Sequence, residues 1–146
     1  MPKRLGVVGG GYIGVEFGGM FNNFGCAVDF FIRGDKLLRG FDEEIRDQLM
    51  TEYGKAGITL NTGASPVKVD KNADGSLTMT YKMADGSEKT KDFDQILFAT
   101  GRKPNTTNLG LENAGIVTDK KGYASAVAPC SAPARGGGAV LTTAAV

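Results

Sequence analysis

The spacing of apolar residues changes period along this chain, and each change predicts a different element. Leu5-Gly6-Val7-Val8 is a short apolar run stopped by Gly9-Gly10-Gly11, the form of a buried strand. From Tyr12 to Phe24 the residues Ile13, Phe17, Met20, Phe21 and Phe24 recur at helical spacing, with Gly25 placed as the C-cap. Gly14, Gly18 and Gly19 fall inside that helix, where each costs about 1 kcal/mol relative to Ala. A sequence carrying all three needs close backbone approach there. Val28 to Ile32 is a second buried strand. Phe41-Asp42-Glu43-Glu44 then opens a second helix, with Asp42 as N-cap and acid in the first turn. Its apolar stripe is Ile45, Leu49 and Tyr53, its end Gly54 or Gly57, and Ile58-Thr59-Leu60 follows as a short strand.

After Pro66 the period becomes two. Val67 and Val69, then Leu77, Met79, Tyr81 and Met83, alternate with polar residues, and Asp74-Gly75 and Asp85-Gly86 mark hairpin turns. Gln95-Ile96-Leu97-Phe98-Ala99 returns to a buried strand closed by Gly101. Strand, glycine turn, helix and strand in that order imply a parallel sheet. The expected fold is a Rossmann-like three-layer α/β domain with a parallel sheet and an antiparallel β-meander crossover. Residues 124–146 are mainly Ala, Gly, Ser, Thr and Pro with little periodicity, and are expected to form a poorly ordered tail.

Composition narrows the function. The length of 146 residues suits one ordinary domain, and 17 Lys and Arg against 16 Asp and Glu leave no basic footprint for nucleic acid. Anion recognition must therefore be local. The chain has no His, which excludes imidazole chemistry from it, and Cys26 and Cys130 form no close pair for a zinc site or disulfide framework. No apolar run approaches the roughly 18 residues a membrane span needs. The start, Met1-Pro2-Lys3-Arg4, leads into an apolar run too short for a signal peptide. An intracellular, reducing setting is expected, in the cytoplasm or an organelle such as a plastid.

Gly9-x-Gly11-x-x-Gly14 lies directly after one strand and opens a helix. Gly9 permits the tight turn, Gly11 lets the backbone approach a pyrophosphate, and Gly14 lets the helix lie close to the sheet. In that setting the pattern reads as a dinucleotide site; a bare structural turn is the alternative. Where an NAD site would place Asp or Glu, the second strand ends Phe31-Ile32-Arg33, and Arg39 follows. Two guanidinium groups suit the 2′-phosphate of NADP. The alternative is that both arginines are solvated, with Arg39 pairing with Asp42. Asp70-x-Asn72-x-Asp74-Gly75 resembles the start of a calcium loop, but Tyr81 stands where a bidentate carboxylate belongs, so a hairpin turn is the reading. Tyr12 and Glu16 share one helix face; by themselves they read as a packed ring and a solvated acid.

Val8-Gly-Gly-Gly-Tyr-Ile-Gly-Val-Glu-Phe17, Phe31-Ile-Arg-Gly-Asp-Lys-Leu-Leu-Arg-Gly-Phe-Asp42, Phe98-Ala-Thr-Gly-Arg-Lys-Pro-Asn105 and Asn108-Leu-Gly-Leu-Glu-Asn-Ala-Gly-Ile116 together resemble the pyridine-nucleotide disulfide reductases. The resemblance covers residues 4 to 122. The second of these segments resembles the glutathione reductases in particular, with trypanothione reductases the nearest rival; dihydrolipoamide dehydrogenases would carry an acidic strand end. It implies an NADPH-binding domain over 1–104, a segment over 105–123 returning toward a flavin domain, and an unmatched stretch over 124–146. In the complete enzyme it implies FAD, hydride transfer from NADPH to FAD, and reduction of glutathione disulfide.

By position, the resemblance implies that Arg33 and Arg39 hold the adenosine 2′-phosphate beside Gly9, Gly11, Ile13 and Gly14. Tyr12 covers the flavin and moves aside for nicotinamide, and Glu16 pairs with a flavin-domain lysine. Gly101 and Arg102 mark the crossing back to the flavin domain. There are departures. Gly14 stands where glutathione reductases often have Ala, and Gly34 replaces a bulkier polar residue. The flavin domain, its redox cysteine pair, and the interface domain that supplies a catalytic His and makes family members homodimers are not in this sequence. The chain is thus expected to be a fragment that binds NADPH without disulfide turnover. A stand-alone NADP-binding module and a non-functional truncated product are the alternatives.

Overall fold

The computed structural model describes residues 1–124, and the expected tail lies, apart from Ala124, outside them. The chain falls into two compact units, the first ending at Gly101 and the second beginning at Arg102. In the first, β1 (Arg4–Val8), α1 (Tyr12–Asn23), β2 (Ala27–Ile32), α2 (Glu43–Lys55) and β3 (Thr59–Thr62) come in that order. Then follow β4 (Ser65–Lys71), β5 (Leu77–Lys82), β6 (Glu88–Phe93) and β7 (Gln95–Phe98). β3, β2, β1 and β7 form a parallel sheet in that spatial order, and β4, β5 and β6 an antiparallel one. This is the expected mixed α/β architecture.

Strand alternation builds two cores from one sheet. Leu5 and Val7 of β1 and Val28, Phe30 and Ile32 of β2 face the helices, where Val15, Leu49, Met50 and Tyr53 pack on them. Val8 and Phe31 face the other way, onto Ala64, Met79, Tyr81 and Phe93 of the meander. Helices, parallel sheet and meander are thus the three layers.

The glycines of α1 make the first core close-packed. A Cβ at Gly18 would lie 2.3 Å from Cζ of Phe30, and one at Gly14 2.7 Å from the Gly9 carbonyl oxygen. Phe30 is fully buried, and burying a Phe contributes roughly 1.5–3 kcal/mol. That gain offsets the roughly 1 kcal/mol cost of a helical glycine. Of the apolar stripe read from the sequence, Phe21 packs on the core while Phe17, Met20 and Phe24 are exposed, because the sheet-facing stripe is Gly14, Val15, Gly18 and Phe21.

Helix α2 departs from its expected pattern in the same way. Asp42 caps it, accepting from the amides of Glu44 and Ile45. The helix then runs through Gly54 to Lys55, and Gly57 follows in the left-handed region at φ 80°. Ile45 is 58% exposed, whereas Arg46 is 8% exposed and buried. The inward stripe is Arg46, Leu49, Met50 and Tyr53, so Leu49 and Tyr53 pack as expected and only Ile45 does not. In β4 the register shifts between Pro66 and Lys68, and Val67 (58%) and Val69 (37%) are exposed; Val69, paired with buried Met79, lies at the rim of the core face. Asp70 to Ser76 forms a hairpin turn: the Gly75 amide donates to the Asn72 carbonyl, and the Ser76 amide to the Asp74 carboxylate.

Asp94 ties the meander exit to the start of β1. It accepts from the amides of Lys3 (2.7 Å) and Arg4 (3.0 Å) and from the Arg4 guanidinium (2.8 Å). The hydrogen bond from Arg4 holds its carboxyl below the ordinary range. A carboxylate so held stabilises the fold above its unfolded pKa, about 3.9, and the contribution is lost as pH falls through the lower folded value. Asp94→Asn is therefore expected to lower the melting temperature near neutral pH and to shrink its further fall on acidification. Melts between about pH 3 and 7 test this; an unchanged acid limb would count against the clamp.

In the second unit, left-handed Gly110 and Gly115 bracket a short 3₁₀ helix, Leu111–Ala114. Asp119 accepts from the amides of Lys121 and Tyr123, beside a Thr118–Ala124 bridge.

Candidate functional site

The chain leaves β1 toward β2 on one side of the sheet and arrives at β7 on the other, so a crevice opens at the carboxyl ends of these strands. A cleft of about 780 Å³ occupies it, and Gly9, Gly11, Arg33, Arg39 and Gly101 all line it. Five expected site residues thus come together. Tyr12, Ile13, Gly14 and Glu16 do not line the cleft. Tyr12 is 41% exposed at the start of α1, Glu16 is exposed one turn on, Ile13 is half-buried and Gly14 is buried. Arg102 is exposed and opens the second unit.

The glycine turn is fixed by the strands around it. Gly9 sits at φ 112°, its amide donates to the Phe31 carbonyl, and a Cβ there would lie 2.4 Å from the Ala99 carbonyl oxygen. A side chain at Gly9 is excluded by the fold itself. Gly11 is different: a Cβ there would meet nothing within 4 Å, and its φ of −79° suits any residue. The fold does not require glycine at 11, and the space a side chain would take there is open to the cleft.

Gly11 is also the N-cap of α1, with no side-chain cap and no acidic residue in the first turn. The amides of Tyr12, Ile13 and Gly14 have no acceptor within the helix. With the helix dipole, they offer a positive end to an anion at the cleft.

Arg33 and Arg39 are exposed, and among the described residues neither forms a salt bridge. The expected alternative partner, Asp42, is engaged as the α2 cap. Two further cations that sequence reasoning missed, Lys36 and Arg46, line the same cleft. They are already compensated. Lys36 bridges Asp47 at 2.6 Å and Glu43 at 3.1 Å, and these bonds raise its pKa. Arg46 pairs with Glu43. Asp35, the acid nearest the end of β2, is 86% exposed and 4.0 Å from Arg46. Ser65, Pro66 and Thr100 complete part of the wall. No residue-type signal marks these three, because the meander that brings in Ser65 and Pro66 is a tertiary event.

Cys26 is 2% exposed, and burial pushes its thiol pKa up, so it is poorly suited to redox work. Cys130 lies outside the described residues. Among the described residues no helix is long and apolar enough to cross a membrane.

Residues 1–129 match the family model described as pyridine nucleotide-disulphide oxidoreductase. The chain is 49% identical over 121 residues to the chloroplastic/mitochondrial glutathione reductase of Pisum sativum, covering 83% of the chain and 21% of that protein. It is 43% identical over 122 residues to a mercuric reductase of Staphylococcus aureus, covering 84% of the chain and 22% of that protein. Among solved structures, the copper(II) complex of the HOCl-induced flavoprotein disulfide reductase RclA from Escherichia coli superposes with a TM-score of 0.73 at 31% identity, covering 85% of this chain and 27% of that one. The chain therefore spans about a fifth to a quarter of the length of these relatives.

Proposed function

The chain belongs to the pyridine nucleotide-disulphide oxidoreductase family, and on that premise we propose that it is the NADPH-binding domain of an FAD-dependent disulfide reductase acting on glutathione disulfide. One observation carries the choice of coenzyme. Two exposed arginines, unpaired among the described residues, stand in one cleft with an uncapped helix N-terminus, where an NAD site would place a carboxylate. The first-turn amides of α1 take the pyrophosphate, and Arg33 and Arg39 take the 2′-phosphate. Bound here, the coenzyme supplies hydride for a flavin. Tyr12 and Glu16, exposed one turn apart on α1, face that flavin side: Tyr12 as the movable cover and Glu16 as the partner of a lysine. Gly101 and Arg102 form the crossing toward the flavin domain.

Glutathione disulfide is proposed on the Phe31-to-Asp42 segment. Relatives named for glutathione, mercuric ion and trypanothione match this chain at 49%, 43% and 45% identity, so the glutathione assignment rests on that segment and not on overall identity. With no His and no close cysteine pair, these residues hold the coenzyme and leave disulfide turnover to the rest of the enzyme, a homodimer in this reading.

Titrating the 146-residue chain with NADPH and NADH tests the proposal, with Gly11→Ala as the control that separates binding from folding. Wild type is expected to bind NADPH and to prefer it. Gly11→Ala places a methyl where the pyrophosphate lies and is expected to weaken both coenzymes by at least about tenfold (~1.4 kcal/mol). Its cost to folding is expected to stay below about 1 kcal/mol, the loss on placing Ala at an N-cap. Unchanged affinity in the variant would remove the pyrophosphate from this turn.

A further inference from the structure

The loop that carries both arginines, residues 33–41, holds a strained backbone. Leu38 lies in the left-handed region at φ 53°, a conformation that a residue with a Cβ avoids. Such strain persists only where surrounding structure over-determines it. Here three anchors do so. The Leu38 amide donates to the Gly10 carbonyl at 2.7 Å, tying the loop to the glycine turn. The Leu37 side chain is wholly buried in the helix-side core. The third anchor is Arg46, whose Nε donates to the Leu37 carbonyl at 2.8 Å and whose Nη2 reaches the Lys36 carbonyl at 3.5 Å.

Arg46 is an odd choice for its place. It occupies the first position of the inward stripe of α2 and is buried, with Glu43 as its ion-pair partner. An apolar residue there would fill the space without the cost of burying a guanidinium, whose partner Glu43 stays exposed. What an apolar residue lacks is a donor for the Leu37 and Lys36 carbonyls. Without those bonds, one side of the strained segment is free to relax, and Arg39, directly after Leu38, moves with it.

We propose that Arg46 is a positioning residue for coenzyme discrimination: its guanidinium holds the Lys36-Leu37 backbone so that the Leu38 turn presents Arg39 to the same cleft as Arg33. The proposal rests on the NADPH reading above. It assigns Arg46 no contact with the coenzyme; the residue acts through the backbone of its neighbours.

The test pairs two measurements on the full 146-residue chain, in Arg46→Met and Arg46→Lys. The first needs no coenzyme: amide hydrogen exchange at Leu38. Its bond to Gly10 protects it in wild type, and exchange is expected to rise about tenfold or more in Arg46→Met, while amides of β1 and β2 hold theirs. The second is the ratio of NADH to NADPH dissociation constants. This is expected to fall by about tenfold, the worth of one charge-assisted hydrogen bond, with NADH affinity nearly unchanged. Across wild type, Met and Lys, discrimination should track Leu38 protection.

Protection of Leu38 in Arg46→Met as strong as in wild type would overturn the proposal. So would full discrimination in Arg46→Lys with Leu38 exchanging fast, since charge alone would then suffice. Equal weakening of both coenzymes would reduce Arg46 to a folding role. If wild type prefers neither coenzyme, the NADPH reading fails, and the exchange data still decide whether Arg46 holds the loop.

Discussion

Replacing both Arg33 and Arg39 with Gln is expected to cut the preference for NADPH over NADH by more than about 100-fold. A hydrogen bond to a charged group contributes about 1.5–3 kcal/mol, and 2.8 kcal/mol is about two decades in a binding constant. Neither side chain gives up a salt bridge among the described residues when it turns to a ligand, and of the nearby acids only Asp35 is largely uncommitted. Asp42 caps α2, while Glu43 and Asp47 hold Lys36. For the same reason the double variant is expected to melt close to wild type, as exposed substitutions usually do. NADH affinity should hardly move, since that coenzyme lacks the 2′-phosphate. Added salt should weaken NADPH binding to wild type more than to the variant, because screening acts on the same exposed charges. Parallel fluorescence titrations of both coenzymes at low and high salt read all of this. A double variant that still distinguishes the two coenzymes would place the 2′-phosphate elsewhere, and Lys36 and Arg46 would be the next residues to examine.

How much of this was legible in the sequence depends on the kind of signal. Period changes placed all four parallel strands, both helices and the meander, because each depends on local alternation against a core. The glycine turn and the arginines at the end of β2 were legible for a related reason: position along a strand decides position at the crevice. The failures share a different cause. Hydrophobicity favours Ile13, Phe17, Met20, Phe21 and Phe24, of which Phe21 packs on the core, whereas the sheet-facing stripe is Gly14, Val15, Gly18 and Phe21. The ring of Phe30, on the facing strand, makes glycine the better residue at 18, and the Gly9 carbonyl makes it so at 14. Arg46 was missed for an equivalent reason. A charged residue at the head of the series 46, 49, 50, 53 reads as a break in the stripe, and Ile45 is the apolar residue beside it. The signal available was that series itself, at i, i+3, i+4 and i+7, which is intact if a long guanidinium side chain is allowed to lie inside.

Phe93→Ala is expected to destabilise the fold by about 3–5 kcal/mol. Phe93 is fully buried at the end of β6. Its ring meets Phe31 edge-on at 5.8 Å and lies over Gly6 of β1, where a Cβ would come within 3.3 Å. Gly6 has no side chain to fill the space a smaller residue would leave, so a cavity remains between sheet and meander, and cavity volume adds to the lost transfer energy. A loss of 3 kcal/mol corresponds to a fall of about 12 °C or more in the melting temperature of a domain this size. Phe93→Leu keeps most of the volume and should cost much less. The effect on the cleft should be selective. Ala64 belongs to the core that Phe93 fills, and Ser65 and Pro66 of the cleft wall follow it directly. The arginine loop is anchored through Leu37 in the opposite core, on the helix side of the sheet. Measured well below its melting temperature, Phe93→Ala should therefore bind both coenzymes less tightly while keeping the NADPH-to-NADH ratio of wild type. A ratio that collapses along with stability would mean that the two faces of the sheet are not independent supports, and that the meander, too, sets the position of the arginines.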